Sequence, residues 1–176
     1  MALATLTHTG RAAIAKAIAS QKLYLGWGSG EAAWDAPDAV LPSLVTATQL
    51  YHEVGRRLVS TVGFVTPDEN GGIVIPVTSG ALGTEVHEAR YTFSTTPTPY
   101  LYCLTNFDFA DAANVTIREM GVFMGGSFKP DCPIGQRYFL PGDKVDPGLL
   151  LAVQIIKPAI ARSASVRQAV EFVLPI

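Results

Sequence analysis

A chain of 176 residues, of which 48% are hydrophobic and only 16% charged, is long enough to bury one hydrophobic core, so we expect a single domain over residues 1–176. The net charge of −2, without a local cluster of Lys or Arg, argues against nucleic acid as a partner. The sequence has no apolar run of membrane-spanning length and no signal-peptide pattern at its start, so we expect no membrane insertion and synthesis in the cytosol.

The first predicted element is an α-helix over residues 9–20. Its alanines have the highest helix propensity, and Thr9 is placed to cap the first free N–H groups. Ile14 and Ile18 would form a narrow apolar stripe along it. A strand over residues 22–27 follows, with Leu23 and Trp27 on one face, and ends in a glycine-rich turn.

The turn Gly26-Trp27-Gly28-Ser29-Gly30 has the composition of a phosphate-binding loop. A dinucleotide site requires a helix directly after the glycines, and here Pro37 ends any helix within a few residues. We therefore expect neither nucleotide binding nor any other cofactor, and interpret the glycines as a turn that fits a packed surface.

Residues 31–49, here called the arm, are predicted to be a long irregular excursion, because Pro37 and Pro42 interrupt regular structure. Loops of this length inside a compact domain tend to be functional or to lie on a neighbour. The arm is therefore a candidate contact segment, with Trp34 as its anchor; a merely mobile loop is the alternative.

Residues 51–176 are predicted to form the β core. Alternating or continuous apolar runs predict its strands. They cover residues 51–65, 73–77, 89–93, 100–107, 113–126 and 148–156, the last of which is predicted to be buried because its apolar run is nearly continuous. A strand is favoured over a helix for 165–174. Pro76 indicates that the 73–77 strand lies at a sheet edge or is broken there, and residues 129–147 are predicted to be a second irregular segment. The fold class expected is mainly β (α+β): an antiparallel β-sandwich or small barrel with one N-terminal α-helix.

The rest of the core is predicted to surround the strand at residues 113–126, because apolar groups on both of its faces indicate a central position. Glu119 stands among Ile117, Gly121 and Phe123 on one face. Since a buried carboxylate has to be paired or hydrogen-bonded, we predict a structural ion pair of Glu119 with Arg56 or Arg57, although both arginines could instead be solvated. Gly121 indicates a bulge or a close approach by another backbone.

No set of residues in the sequence predicts catalysis. The three histidines are scattered without metal-ligand spacing, and Asp108 with Asp111 is more typical of local backbone capping than of a cation site. Cys103 reads as a buried free thiol, and Cys132 is likewise outside any CxxC pair. We expect no enzyme activity, no catalytic residues and no metal.

Three segments together resemble a family of tailed-bacteriophage virion proteins found among tail and baseplate genes. They are Leu6–Ile18 with Leu25–Trp34, Tyr51–Arg57, and Asn106–Asp111 with Ile117–Phe123, in an order and spacing that match over nearly the whole chain. The resemblance implies a structural subunit of the virion, made in the host cytoplasm. It implies other tail or baseplate proteins as partners, in a symmetric multi-copy assembly.

Two functions follow from these observations. The first is a non-enzymatic baseplate or tail-tip component that connects neighbouring tail proteins, with Trp27 and Trp34 as interface candidates. The second is a glycan- or receptor-binding β-domain, or a fibre-attachment protein, at the tail tip. In that case the same tryptophans and the tyrosine-rich strand would stack on sugars.

Overall fold

A computed structural model describes residues 4–79 and 85–176 of the chain. It is mainly β, with 47% of residues in strands and 12% helical. The α-helix is α1 (His8–Ala19), and two short 3₁₀ turns span Ala32–Asp35 and Pro141–Asp143. The strands are β1 (Leu23–Gly28), β2 (Glu53–Leu58), β3 (Thr61–Pro67), β4 (Ile73–Ser79), β5 (Glu85–Ser94), β6 (Tyr100–Phe107), β7 (Thr116–Met124), β8 (Ser127–Phe128), β9 (Tyr138–Phe139), β10 (Lys144–Asp146), β11 (Leu149–Ala161) and β12 (Gln168–Pro175).

The predicted fold class is confirmed: the sheets are antiparallel, and an α-helix lies near the N-terminus. The helix begins one residue earlier than predicted, and its N-cap is Thr7 rather than Thr9, because the Thr7 side chain accepts the Gly10 N–H at 3.1 Å. The predicted apolar stripe is only partly on the buried side: Ala15 is fully buried and Ile18 half-buried, whereas Ile14 is exposed.

The chain separates into two compact units. The helix-bearing unit holds the residues up to Gln21, Ser60–Leu104 and Glu171–Ile176. Its five-stranded sheet has the order β12-β6-β3-β5-β4. Strand β4 lies at an edge, which confirms the position predicted from Pro76.

The arm-bearing unit consists of Lys22–Val59 and Thr105–Val170. Its five-stranded sheet has the order β11-β7-β1-β2-β9, and β10 and β8 form a separate pair. Strand β7 thus lies between β11 and β1, as its two apolar faces predicted. The β1–β7 register sets Gly26 opposite Gly121 and Gly28 opposite Glu119.

Two of the predicted strands differ from the structure. Residues 51–65 form not one strand but β2 and β3, which belong to different sheets, because the backbone N–H groups of Val59 and Ser60 turn to Leu23 and Leu104. Strand β11 extends five residues beyond the predicted end at Ile156, and it is a half-buried edge strand rather than a buried one. An uninterrupted apolar run therefore did not mean burial on both faces.

Candidate functional site

The arm begins shortly after strand β1, and one side chain of β7, Arg118, fixes its first turn. The Arg118 guanidinium donates to both carboxylate oxygens of Asp35 at 2.8–3.1 Å and to the Ser29 carbonyl at 3.1 Å. The hydrogen bonds from Arg118 lower the pKa of the Asp35 carboxyl. A bidentate guanidinium–carboxylate pair fixes orientation as well as distance, so the first turn of the arm is held against the sheet.

Trp34 occupies the inner side of this first turn. It is only 7% exposed and meets the Tyr51 ring edge-on, with the ring centroids 5.6 Å apart. Gly30 makes this possible, since a Cβ at that position would overlap the indole, and its φ of +52° favours glycine in any case. The glycine-rich turn therefore provides the space in which the Trp34 ring packs.

The neighbouring β7 residue holds the far end of the arm. The Glu119 carboxylate accepts the backbone N–H of Tyr51 at 2.9 Å and that of His52 at 2.7 Å, and the side chain is only 2% exposed. A Cβ on Gly28, directly opposite in the register, would overlap this carboxylate. Consecutive residues of β7 thus fix the chain on both sides of the arm's middle: Arg118 binds Asp35 within its first turn, and Glu119 binds the two residues 51 and 52 just after its end. The glycines of β1 leave the space that this requires.

Leu50 completes the far attachment. It is buried, and it lies over the paired Gly26 and Gly121, where an added Cβ would come within 3.2 and 3.0 Å of its methyl groups. Gly121 was predicted to allow the close approach of another backbone. The backbone carbonyl of Ala152 does approach, since an added Cβ would lie 3.3 Å from its oxygen, and the side chains of Leu50 and Leu150 come closer still.

The predicted ion pair of Glu119 with Arg56 or Arg57 is corrected by these contacts. Glu119 is buried as expected, but its partners are backbone N–H groups. Arg56 instead forms a bidentate pair with Glu53 at 2.8 Å, and its guanidinium lies 3.6 Å from the centre of the Phe123 ring. Glu53 and Arg56 are only three residues apart on β2, whereas Glu119 is distant in sequence from both arginines.

Lys144 joins the Glu53–Arg56 pair and connects β10 to β2. Its Nζ donates to Glu53 at 2.7 Å. Burial alone raises the pKa of Glu53, but the hydrogen bonds from Arg56 and Lys144 outweigh it and leave the pKa below its ordinary value.

The other predicted arginine, Arg57, pairs with Asp111. Asp111 also accepts the Asp108 N–H at 2.7 Å, and Asp108 accepts the Phe109 N–H at 2.9 Å and the Arg167 side chain at 2.9 Å. These two aspartates therefore cap the turn after β6 and balance arginines, which is the capping role that the sequence favoured over a cation site.

Both interface candidates lie inside the arm-bearing unit. Trp27 is fully buried and stacks on Phe107 with the ring centroids 3.5 Å apart, and Trp34 is buried as described. Neither indole is available to a partner or a sugar at the surface. The large apolar side chains of the arm that are exposed are instead Val40 and Val45, at 95% and 93% exposure.

Sequence reasoning missed Arg118 and Asp35. The signal was present, because Arg118 precedes the conspicuous Glu119 and so points to the opposite face of β7. Its partner is 83 residues away in sequence, and only the folded chain brings the two together.

Within residues 4–79 and 85–176, no group of three or more His, Cys, Asp or Glu side chains is arranged to hold a metal ion. No helix in the same residues is both long and apolar enough to span a membrane. Cys103 is a buried free thiol, as predicted, and burial raises its pKa to about 12.

Comparison with known proteins gives one family. No curated protein matches the chain significantly. The family model described as "Baseplate wedge 3 tail fiber network component" matches residues 3–176. Since this match spans nearly the whole chain, the protein belongs to the family of baseplate wedge 3 tail fiber network components.

Proposed function

We propose that this protein is a connector of the phage baseplate, which uses the middle of its arm to contact neighbouring tail proteins. Membership of the family makes it a structural component of the baseplate, and therefore of the virion tail. The observation that carries the proposal is the construction of the arm. Both ends are fastened to β7, while its middle exposes Val40 and Val45 almost fully.

This construction favours binding on physical grounds. Residues held in place before a partner arrives lose less conformational entropy on association than a free loop does. Pro37 and Pro42 restrict the backbone further. Binding a partner through two valines on a fixed loop therefore costs little conformational entropy. Exposing them to water has no benefit for a surface that contacts solvent alone.

The family description indicates which proteins the subunit contacts. We infer that the proteins contacted include those of the tail-fibre network, and that the subunit is present in several symmetric copies. Fibre attachment then becomes part of the connector role. A glycan-binding role that used Trp27 and Trp34 loses its support, because both rings are buried in the arm-bearing unit.

We also propose that the protein acts without catalysis and without a cofactor. The charged side chains of the arm-bearing unit that approach one another are used in ion pairs and backbone contacts, as shown by Glu53 with Arg56 and by Asp111 with Arg57. A structural family supports the same conclusion.

The test is incorporation into particles. The double variant Val40→Lys with Val45→Lys should fold normally, because both side chains are exposed, but should be depleted about tenfold or more from purified baseplates. The amount per particle is measured by quantitative mass spectrometry after complementation of a phage that lacks the native protein.

The matched control is Val145→Lys with Val166→Lys. It adds the same charge at exposed valines of the arm-bearing unit outside the arm. The connector proposal requires the control to be incorporated normally. Equal incorporation of both double variants would overturn the contact by the arm.

A further inference from the structure

A cleft of about 370 Å³ lies between the second half of the arm and the strands β7 and β11. Its lining includes apolar residues such as Leu44 and Val153 and the aromatic residues Trp34 and Tyr51. Of the described residues that line it, only Glu119 carries a charge. The cleft therefore combines apolar walls, two aromatic residues and a single carboxylate.

Glu119 differs from two other nearly buried carboxylates of the arm-bearing unit. Glu53 has two cationic partners and Asp111 has one. Within residues 4–79 and 85–176, Glu119 is paired with no Lys, Arg or His side chain, and its partners are two backbone N–H groups. A carboxylate offers about four acceptor sites, so these two hydrogen bonds leave capacity for a further donor. Burying a carboxylate without a counter-charge is costly, so a cation bound here would be favourable.

The cations near the arm are held elsewhere. Arg118 is paired with Asp35, and alternation along β7 sends it to the face opposite Glu119. The Lys157 Nζ donates to the Ala36 carbonyl at 3.2 Å. The arm itself contains three acidic residues and no Lys or Arg. Within its described residues, the chain therefore leaves Glu119 without a counter-charge.

We propose that the cleft takes an arginine side chain of a neighbouring tail protein, with the guanidinium at the Glu119 carboxylate and the aliphatic stem against the apolar wall. This inference rests on the proposed function, since it names the chemistry of the surface that the arm contacts. A guanidinium donates to carboxylates and stacks on aromatic rings, and the stem of an arginine packs on apolar surface. Each part of the cleft thus matches one part of the side chain.

The position of the cleft favours a protein side chain over a free small cation. The cleft shares Leu44, Ala47 and Val153 with a second groove of about 350 Å³, which Val45 also lines. Val45 is one of the two exposed valines of the connector contact. A partner that covers Val45 therefore reaches the cleft as well. Its arginine is already concentrated there, whereas a free cation loses its translational entropy for this one contact.

The experiment is an NMR titration of the purified full chain with n-butylguanidinium and with n-butylurea, its neutral counterpart of the same shape. The amide signals of Tyr51 and His52 are followed, because both N–H groups donate to Glu119. We expect n-butylguanidinium to shift both signals to saturation. It should bind at least about tenfold more tightly than n-butylurea, because only the cation makes a charge-assisted contact.

Two variants should lose this preference for the cation. Glu119→Gln removes the charge and keeps an acceptor oxygen, and its folding is checked by circular dichroism. Gln49→Lys leaves the buried site untouched, because Gln49 is an exposed residue of the cleft, and its ammonium group should compete with the probe. The matched control is Glu88→Gln, which removes the same charge from an exposed pair of the helix-bearing unit and should bind both probes like the unmodified chain.

Equal binding of the two probes by the unmodified chain would overturn the proposal, as would the absence of a saturable shift. A preference that persists in both Glu119→Gln and Gln49→Lys would also overturn it, since the cation would then bind elsewhere. Each of these results leaves the connector role open, because that role is judged by incorporation into particles and by variants of Val40 and Val45.

Discussion

At the scale of single residues, Glu119 is the most consequential side chain of the arm-bearing unit. Glu119→Ala removes the acceptor of two backbone N–H groups at a site that is 2% exposed. Hydrogen bonds to charged groups contribute about 1.5–3 kcal/mol each, so we expect the free energy of unfolding to fall by roughly 3–5 kcal/mol. Glu119→Gln keeps one acceptor oxygen and should lose about half as much. Urea denaturation measures both, and a loss below about 1 kcal/mol for Ala would show the carboxylate to be dispensable.

Gly28 should be coupled to Glu119. Gly28→Ala drives a Cβ into the carboxylate and should destabilise the protein by about 1–3 kcal/mol, as overpacking does. In the double variant Gly28→Ala with Glu119→Ala that clash is gone, so the two losses should be less than additive. Gly72→Ala is the control, because a Cβ there would meet nothing within 4 Å. Simple additivity in the denaturation measurements would contradict the packing described here.

At the scale of elements, the attachment of the arm to β7 can be weakened without unfolding the sheet. Asp35 is about half exposed, so Arg118→Ala should change the free energy of unfolding only slightly, because solvent screens an exposed ion pair. Cleavage between residues 31 and 49 in limited proteolysis should nevertheless become faster, because the first turn of the arm is released.

Arg90→Ala removes an arginine from the exposed pair with Glu88 and serves as the control. It should leave cleavage of the arm unchanged. If the arm of the Arg118 variant is cut no faster than that of the control, Arg118 does not hold it.

The stabilisation that Glu53 provides between β2 and β10 should be lost at acidic pH. The folded-state pKa of Glu53 lies below its unfolded value near 4.5, so at mildly acidic pH the unfolded chain binds more protons than the folded one. The stabilisation by Glu53 is therefore present above about pH 4.5 and is lost as the pH falls through the folded-state pKa. Glu53→Gln should have a flatter pH dependence of its urea midpoint below pH 5 than the unmodified chain. Parallel curves would exclude Glu53 as a source of acid sensitivity.

At the scale of the whole molecule, we propose that the two compact units fold as one domain. The chain passes between them four times, after Gln21, Val59, Leu104 and Val170, so neither unit is a continuous segment. Strands β6 and β12 each contribute residues to both units. Differential scanning calorimetry should therefore show a single transition whose calorimetric and van't Hoff enthalpies agree. Two separated transitions would establish independent domains.

The sequence by itself determined the local structure and the family. Helix α1 and strands such as β6 and β7 follow from propensity and side-chain alternation, which act over a few residues and leave their pattern in the chain. Motif order over nearly the whole chain carried the resemblance to baseplate proteins, which the family match confirms. The sequence also indicated that Glu119 needs a partner, because burying a carboxylate without one is costly whatever the rest of the fold is.

The tertiary structure alone decided which groups meet. The pairing of Arg57 with Asp111, that of Arg118 with Asp35, and the hydrogen bonds of Glu119 to Tyr51 and His52 all depend on contacts between segments that are distant in sequence. Ion pairs and close packing act over a few ångströms in space, whereas partners such as Glu53 and Lys144 lie 91 residues apart in sequence. Local patterns therefore indicate that a residue needs a partner, and the fold decides which residue that partner is.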